Sequence, residues 1–121
     1  MEKQALLKRY FGHGDFRPGQ EALIDALLAG RDVLGVMPTG AGKSVCYQLP
    51  ALMLPGVALV ISPLIALMKD QVAALTQAGI PSAYINSSLS PAQYREAFRR
   101  AREGAYKILY VAPERLAARD F

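Results

Sequence analysis

The feature that most limits how this chain can fold is a regular alternation of short apolar runs with segments of helical period. Residues 32–37 (DVLGVM), 57–62 (VALVIS), 83–85 (AYI) and 107–111 (KILYV) are short, largely apolar and followed by proline or polar residues, the pattern of strands buried on both faces. Between them, Leu64, Met68, Val72 and Leu75 recur every three or four residues before Gly79, and Tyr94, Phe98 and Ala101 do so before Gly104. Each of these stretches follows a Ser-Pro pair, Ser62-Pro63 or Ser90-Pro91, suited to cap and open a helix. Upstream, Leu6, Leu7, Tyr10 and Phe11 share one helical face that stops at Gly12, and a stripe of Leu23, Ile24, Leu27 and Leu28 runs from Pro18 to Gly30. A further helix is expected from near Gly42 toward Leu54, kinked or shortened where Pro50 removes a backbone donor. Parallel strands need helical crossovers, and these are right-handed. The expected fold is therefore α/β, a parallel sheet with helices on both faces and ligands at the carboxyl ends of the strands.

A length of 121 residues with 52% hydrophobic content suits one compact domain with a core behind its sheet. Proline, glycine or lysine interrupts every apolar stretch within about a dozen residues, short of the ~20 that a bilayer span requires. A soluble chain without a membrane partner is expected. The start, MEKQALLKRYFG, has neither an apolar run nor a small-residue cleavage site, so the expected location is cytoplasmic, beside the nucleoid in a bacterium. Cys46 is the single cysteine, which excludes an internal disulfide or a thiolate cluster for zinc or iron–sulfur. The net charge of +4 leans toward anionic partners without deciding among them.

The strongest local signal is residues 37–44, MPTGAGKS, between an expected strand and an expected helix, where a phosphate-binding loop belongs. Gly40 and Gly42 allow a tight turn whose N–H groups face an anion, and the helix that follows points its positive end at the same place. The candidate nucleotide contacts are Met37, Thr39, Gly40, Ala41, Gly42, Lys43 and Ser44. Lys43 places a charge at the β- and γ-phosphates and is the candidate catalytic residue, while the Ser44 hydroxyl is the candidate ligand for Mg²⁺. Met37 stands where the strict pattern has glycine; the shorter form, Thr-Gly-x-Gly-Lys-Ser/Thr, is the one often found in helicases.

Residues 11–20, FGHGDFRPGQ, resemble the first motif of RecQ helicases. A glutamine amide offers one donor and one acceptor, so Gln20 can pair with N7 and the N6 amino group of adenine. The planar guanidinium of Arg17 can lie against the ring. His13 stands where family members often carry tyrosine; it can stack, and an exposed loop histidine is the plainer reading. The resemblance continues through FRPGQ (16–20), MPTGAGKSVCYQLPA (37–51), SPLIALMKDQ (62–71), INSS (85–88) and YVAPERL (110–116). In that order and spacing they are similar to the first half of the first RecA-like motor domain of a RecQ helicase. The resemblance implies a P-loop NTPase fold, use of ATP with Mg²⁺, and 3′-to-5′ unwinding of DNA in repair and recombination.

For nucleic acid, SPLIALMKDQ is similar to the motif that touches the backbone of single-stranded DNA, which makes Ser62, Lys69 and Gln71 candidates. A capped amphipathic helix with Lys69 in solvent also fits the residues taken alone. INSS resembles a phosphate-gripping segment through Asn86 and Ser87, residue types that also make ordinary turns. Residues 91–103 carry Arg95, Arg99, Arg100 and Arg102 against Glu96 and Glu103, a basic face open to solvent or to nonspecific contact with DNA. The Asp-Glu-Ala-His motif that such helicases use to hold Mg²⁺ and position water does not occur. The resemblance therefore implies that residues 1–121 are the N-terminal portion of a truncated helicase ATP-binding domain, unable alone to hydrolyse ATP or unwind. It further implies a sheet edge and apolar surface left uncovered. An RNA helicase of the DEAD-box kind shares the loop and the glutamine, but has a Pro-Thr-Arg-Glu-Leu type segment where this chain has SPLIALMKDQ. A small-molecule kinase shares only the loop, and a noncatalytic nucleotide-binding module is the third alternative.

Overall fold

The computed structural model describes residues 2–36 and 43–114. Contacts divide the chain into two compact units, Met1–Pro55 and Gly56–Phe121.

The first unit is helical. α1 (Lys3–Phe11) ends at Gly12, whose φ of 74° is the left-handed conformation that glycine adopts without a Cβ penalty. α2 spans Gln20–Leu28 and α3 spans Lys43–Met53. Leu6 and Leu7 of α1, Ile24 of α2, and Val45 and Leu49 of α3 form one buried cluster, with Tyr10, Phe11, Phe16, Leu28 and Leu52 packed against it. The apolar stripes expected on these helices are the faces that meet. α3 is not shortened at Pro50: the helix continues to Met53, and the Pro50 carbonyl still accepts from the Leu54 N–H at 2.9 Å.

One expected strand is corrected here. Residues 31–36 form no strand, and Leu34 and Val36 are 91% and 89% exposed. A buried parallel strand exists only through neighbours that satisfy its backbone groups on both sides, and among the described residues no strand pairs with this segment.

The second unit holds the sheet: β1 (Ala58–Ile61), α4 (Ile65–Gln77), β2 (Ser82–Ile85), α5 (Pro91–Arg102) and β3 (Ile108–Val111). The strands are parallel in the order β1-β3-β2, with Ile61 and Ile85 both level with Val111. Central β3 is buried along its whole length. Its alternate residues point to opposite faces. Leu109 and Val111 join Ile85 and Ala97 of α5 in one cluster, whereas the Tyr110 hydroxyl donates to Gln71 Oε1 of α4 at 2.9 Å. Helices therefore cover both faces, as expected. β1 was expected to be fully buried and is not: Leu59 and Ile61 are 51% and 46% exposed. The expected uncovered apolar surface lies here, beside a β1 edge unpaired among the described residues.

The two Ser-Pro pairs behave differently. Ser90 forms a full capping box, its Oγ accepting from the Gln93 N–H at 3.2 Å and Gln93 Oε1 accepting from the Ser90 N–H at 2.9 Å. Ser62 does not cap α4. Leu64 occupies the N-cap position with ψ 80°, and the Ser62 hydroxyl accepts the Leu64 N–H at 3.2 Å. Two residues, Pro63 and Leu64, stand between the serine and the helix and put it too far back to reach the first turn.

Candidate nucleotide site and nucleic-acid edge

The residues proposed for the nucleotide all belong to the first unit. FRPGQ folds into a tight turn: the Gln20 N–H donates to the Arg17 carbonyl at 3.1 Å across Pro18 and Gly19. Gly19 has φ 87° and ψ −20°, the third position of a type II turn, where only glycine is comfortable; proline at the second position sets the required φ. The Gln20 side chain closes the turn from the other direction, its Oε1 accepting from the Arg17 N–H at 2.7 Å. Gln20 is 4% exposed, so its amide is held in one orientation by this bond. Arg17, the first residue of this turn, and His13 upstream of it are exposed.

Lys43 is the first residue of α3 and exposed, and Ser44 beside it is half-buried. Both stand in the first turn of the helix, where backbone N–H groups lack intrahelical acceptors and the helix dipole is positive. A groove of about 250 Å³, lined chiefly by Leu23, Leu27, Val33, Cys46 and Tyr47, opens beside Lys43. Burial among these groups pushes the Cys46 thiol up from its usual pKa, which keeps it protonated and unreactive at neutral pH. The other loop candidates, Met37, Thr39, Gly40, Ala41 and Gly42, lie outside the described residues.

The nucleic-acid candidates all belong to the second unit, and Ser62, Asn86 and Ser87 follow strand ends at the carboxyl edge of the sheet. The ladder continues past the strand ends, Ser62 N–H to the Val111 carbonyl and Ala112 N–H to the Ile85 carbonyl, each at 3.1 Å. Ser62, Ala112 and Asn86 thus lie level across the edge, with Pro113 and Glu114 beyond β3 exposed. Lys69 is exposed on α4, while Gln71 is half-buried and tied to Tyr110.

Asn86 needs a correction. It is fully buried, its Oδ1 accepting from the Ser88 N–H at 2.8 Å and the Ser88 hydroxyl at 2.5 Å, with Nδ2 on Met68 Sδ at 3.5 Å. A side chain so placed does not reach a DNA strand; it holds the turn that presents exposed Ser87 and Ser88. Sequence reading missed this because asparagine is a turn former whether inside or outside the surface. Tyr110 was missed as well, and the available signal was a phenol in a buried strand, whose hydroxyl must find a partner. Asn86→Ala removes acceptors from a buried turn and is expected to lower stability by about 1–3 kcal/mol, read as a shift in the urea midpoint. An unchanged midpoint would show that the turn stands without it.

The family profile described as DEAD/DEAH box helicase matches residues 17–120, most of the chain. The chain belongs to that helicase family. Among relatives, it is 52% identical over 119 residues to the ATP-dependent DNA helicase RecQ of Bacillus subtilis, covering 98% of this chain and 20% of that protein. To RecQ of Haemophilus influenzae it is 49% identical over 117 residues, 97% of this chain and 19% of that one. The ATP-dependent DNA helicase Q-like 5 of Arabidopsis thaliana is 45% identical over 116 residues, 96% of this chain and 13% of that one. The chain thus spans about a fifth or less of the length of these relatives. Among solved structures, a hypothetical ATP-dependent RNA helicase from Sulfolobus tokodaii matches with a TM-score of 0.73 at 25% identity, covering 94% of this chain and 34% of that one. By sequence the chain is thus similar to RecQ helicases, and in fold it is similar to the Sulfolobus protein. No helix among the described residues is long and apolar enough to cross a membrane.

Proposed function

We propose that this chain is the ATP-binding front of a RecQ-type DNA helicase, whose whole protein couples ATP hydrolysis to 3′-to-5′ travel along single-stranded DNA and separates duplexes in repair and recombination. The observation that carries this reading is the closed Arg17–Gln20 turn, which holds a buried amide against the backbone of the exposed Arg17, in the same unit as the α3 N-terminus. A base edge is read by the one, its face is covered by the other, and phosphates are met by Lys43 and first-turn amides. Mg²⁺ fits the donors present: the Ser44 hydroxyl would hold it together with phosphate oxygens, and when bound it neutralises phosphate charge. On the sheet edge, Ser62, Lys69 and Ser87 would meet phosphates, with Gln71 held by Tyr110 and Asn86 shaping the turn. None of these contacts reads sequence, as a motor requires.

The test is a titration of a fluorescent ATP analogue with Mg²⁺, competed by ATP and by GTP. The expected result is saturable binding that favours ATP, with the preference over GTP falling about tenfold or more in Gln20→Ala, as loss of a bidentate base contact predicts. Folded protein that binds ATP and GTP equally well would remove the adenine-reading role. Movement of the full-length protein from a 5′ tail rather than a 3′ tail would overturn the polarity.

A further inference from the structure

One ammonium from α1 meets two carboxylates on α2. Lys3, the first residue of α1, places its Nζ 2.7 Å from Glu21 Oε2 and 2.5 Å from Asp25 Oδ1. Glu21 and Asp25 stand four residues apart on α2, so they share one face of the helix and repel each other unless a cation stands between them. Lys3 is that cation. Its side chain is largely covered while both carboxylates stay about half in solvent. The two acids raise its pKa above the usual lysine value, the Asp25 hydrogen bond contributing most, so the ammonium keeps its charge at neutral pH.

α1 and α2 each pack chiefly on α3, and this bridge ties the two directly to each other. It grips the part of α2 with the least support of its own. The N-cap is Gly19, and no side chain caps the helix, so the first turn, whose N–H groups lack intrahelical acceptors, is where a nine-residue helix frays first. Gln20 and Glu21 are the first two residues of that turn. Gln20 closes the Arg17 turn with its side chain, and its backbone is continuous with the residue that Lys3 holds. Whatever steadies Glu21 therefore steadies the point from which the Gln20 amide projects.

We propose that Lys3 is a positioning residue for the adenine site: by tying Glu21 and Asp25 to α1 it keeps the first turn of α2 formed, and with it the orientation of the Gln20 amide. The inference rests on the adenine-reading role of Gln20. Lys3 does not touch the nucleotide, and its effect passes through α2. Partly exposed ion pairs add little to overall stability and are screened by salt. The bridge therefore acts on base preference, while folding and the hold on phosphate stay as they are.

The experiment is displacement of a fluorescent ATP analogue from the 121-residue chain with Mg²⁺, by ATP, GTP and inorganic triphosphate. Lys3→Gln is expected to lower the preference for ATP over GTP about threefold, with triphosphate affinity and the circular dichroism spectrum unchanged. Lys3→Arg keeps a cation within reach of both carboxylates and is expected to retain the preference. So is Lys8→Gln, which removes the same charge from an exposed position on α1. An unchanged preference in Lys3→Gln would overturn the proposal, as would an equal loss in Lys8→Gln or in Lys3→Arg. Triphosphate affinity falling in parallel with ATP affinity would also overturn it, because the loss would then be one of general structure. Failure of the adenine reading looks different: the unsubstituted chain would not prefer ATP, or Gln20→Ala would keep the preference, and the role of Lys3 would fall with it. A preference lost in Gln20→Ala but kept in Lys3→Gln would refute the Lys3 role alone.

Discussion

Replacing Lys43 by alanine is expected to abolish saturable binding of an ATP analogue, with affinity reduced about a hundredfold or more. The side chain stands exposed at the first position of α3, where first-turn amides already favour an anion. Adjacent phosphates place several negative charges at that point, and the lysine ammonium is the nearest cation the motif supplies. Losing a charge-assisted contact of this kind costs about 3 kcal/mol, which corresponds to about two decades in affinity. Because Lys43 is in solvent and in no ion pair among the described residues, the variant should fold as the parent does, with an unchanged circular dichroism spectrum. A folded Lys43→Ala protein that binds within threefold of the parent would place the phosphates elsewhere.

The second large effect is expected in the core rather than at the site. Leu49 is completely buried in α3, among Leu6, Leu7, Ile24 and Val45. Truncating a fully buried leucine loses its transfer free energy and leaves a cavity, typically at a cost of 2–5 kcal/mol. In the first unit so few buried side chains join the three helices that Leu49→Ala should lower stability by about 3 kcal/mol and the melting temperature by about 10 °C or more. Nucleotide binding should weaken with it, since Leu49 and Lys43 share a helix and the Gln20 turn opens the helix that packs on it. A melting shift below about 3 °C would mean that the helices hold together through contacts other than this cluster.

The two variants separate what a local motif can do from what packing must add. What was legible of the candidate site is the part whose geometry is local. The second helix was expected from Pro18 and begins at Gln20, because Pro18 and Gly19 form a type II turn that brings the Arg17 and Gln20 backbones together. The position of Lys43 at a helix start follows from a glycine-rich stretch ahead of an apolar helical stripe. The capping box at Ser90 and Gln93 needed only a three-residue spacing.

What local reasoning missed was decided at long range. Asn86 and Ser87 are adjacent and both polar, yet one is fully buried beneath Met68 of α4 and the other is in solvent; only the packing of α4 against β2 distinguishes them. Ser62 and Ser90 stand before identical prolines, but only Ser90 caps, because the chain leaving β1 takes two more residues to enter its helix. The 32–37 run was read as a buried strand because apolar branched residues favour strands. A strand, unlike a helix, cannot satisfy its own backbone, so composition proposes it and neighbours decide.

The sequence by itself determined the α/β class, the helix-forming stripes with their glycine stops and the membership of the helicase family, since each rests on contacts within a few residues or on a pattern repeated along the chain. Tertiary structure alone decided the strand order β1-β3-β2, which brings Ser62, Asn86 and Ala112 level on one edge. It also decided which polar side chains face inward. Those depend on pairings between residues tens of positions apart, whose register is set by burying apolar side chains jointly and is encoded at no single place in the chain.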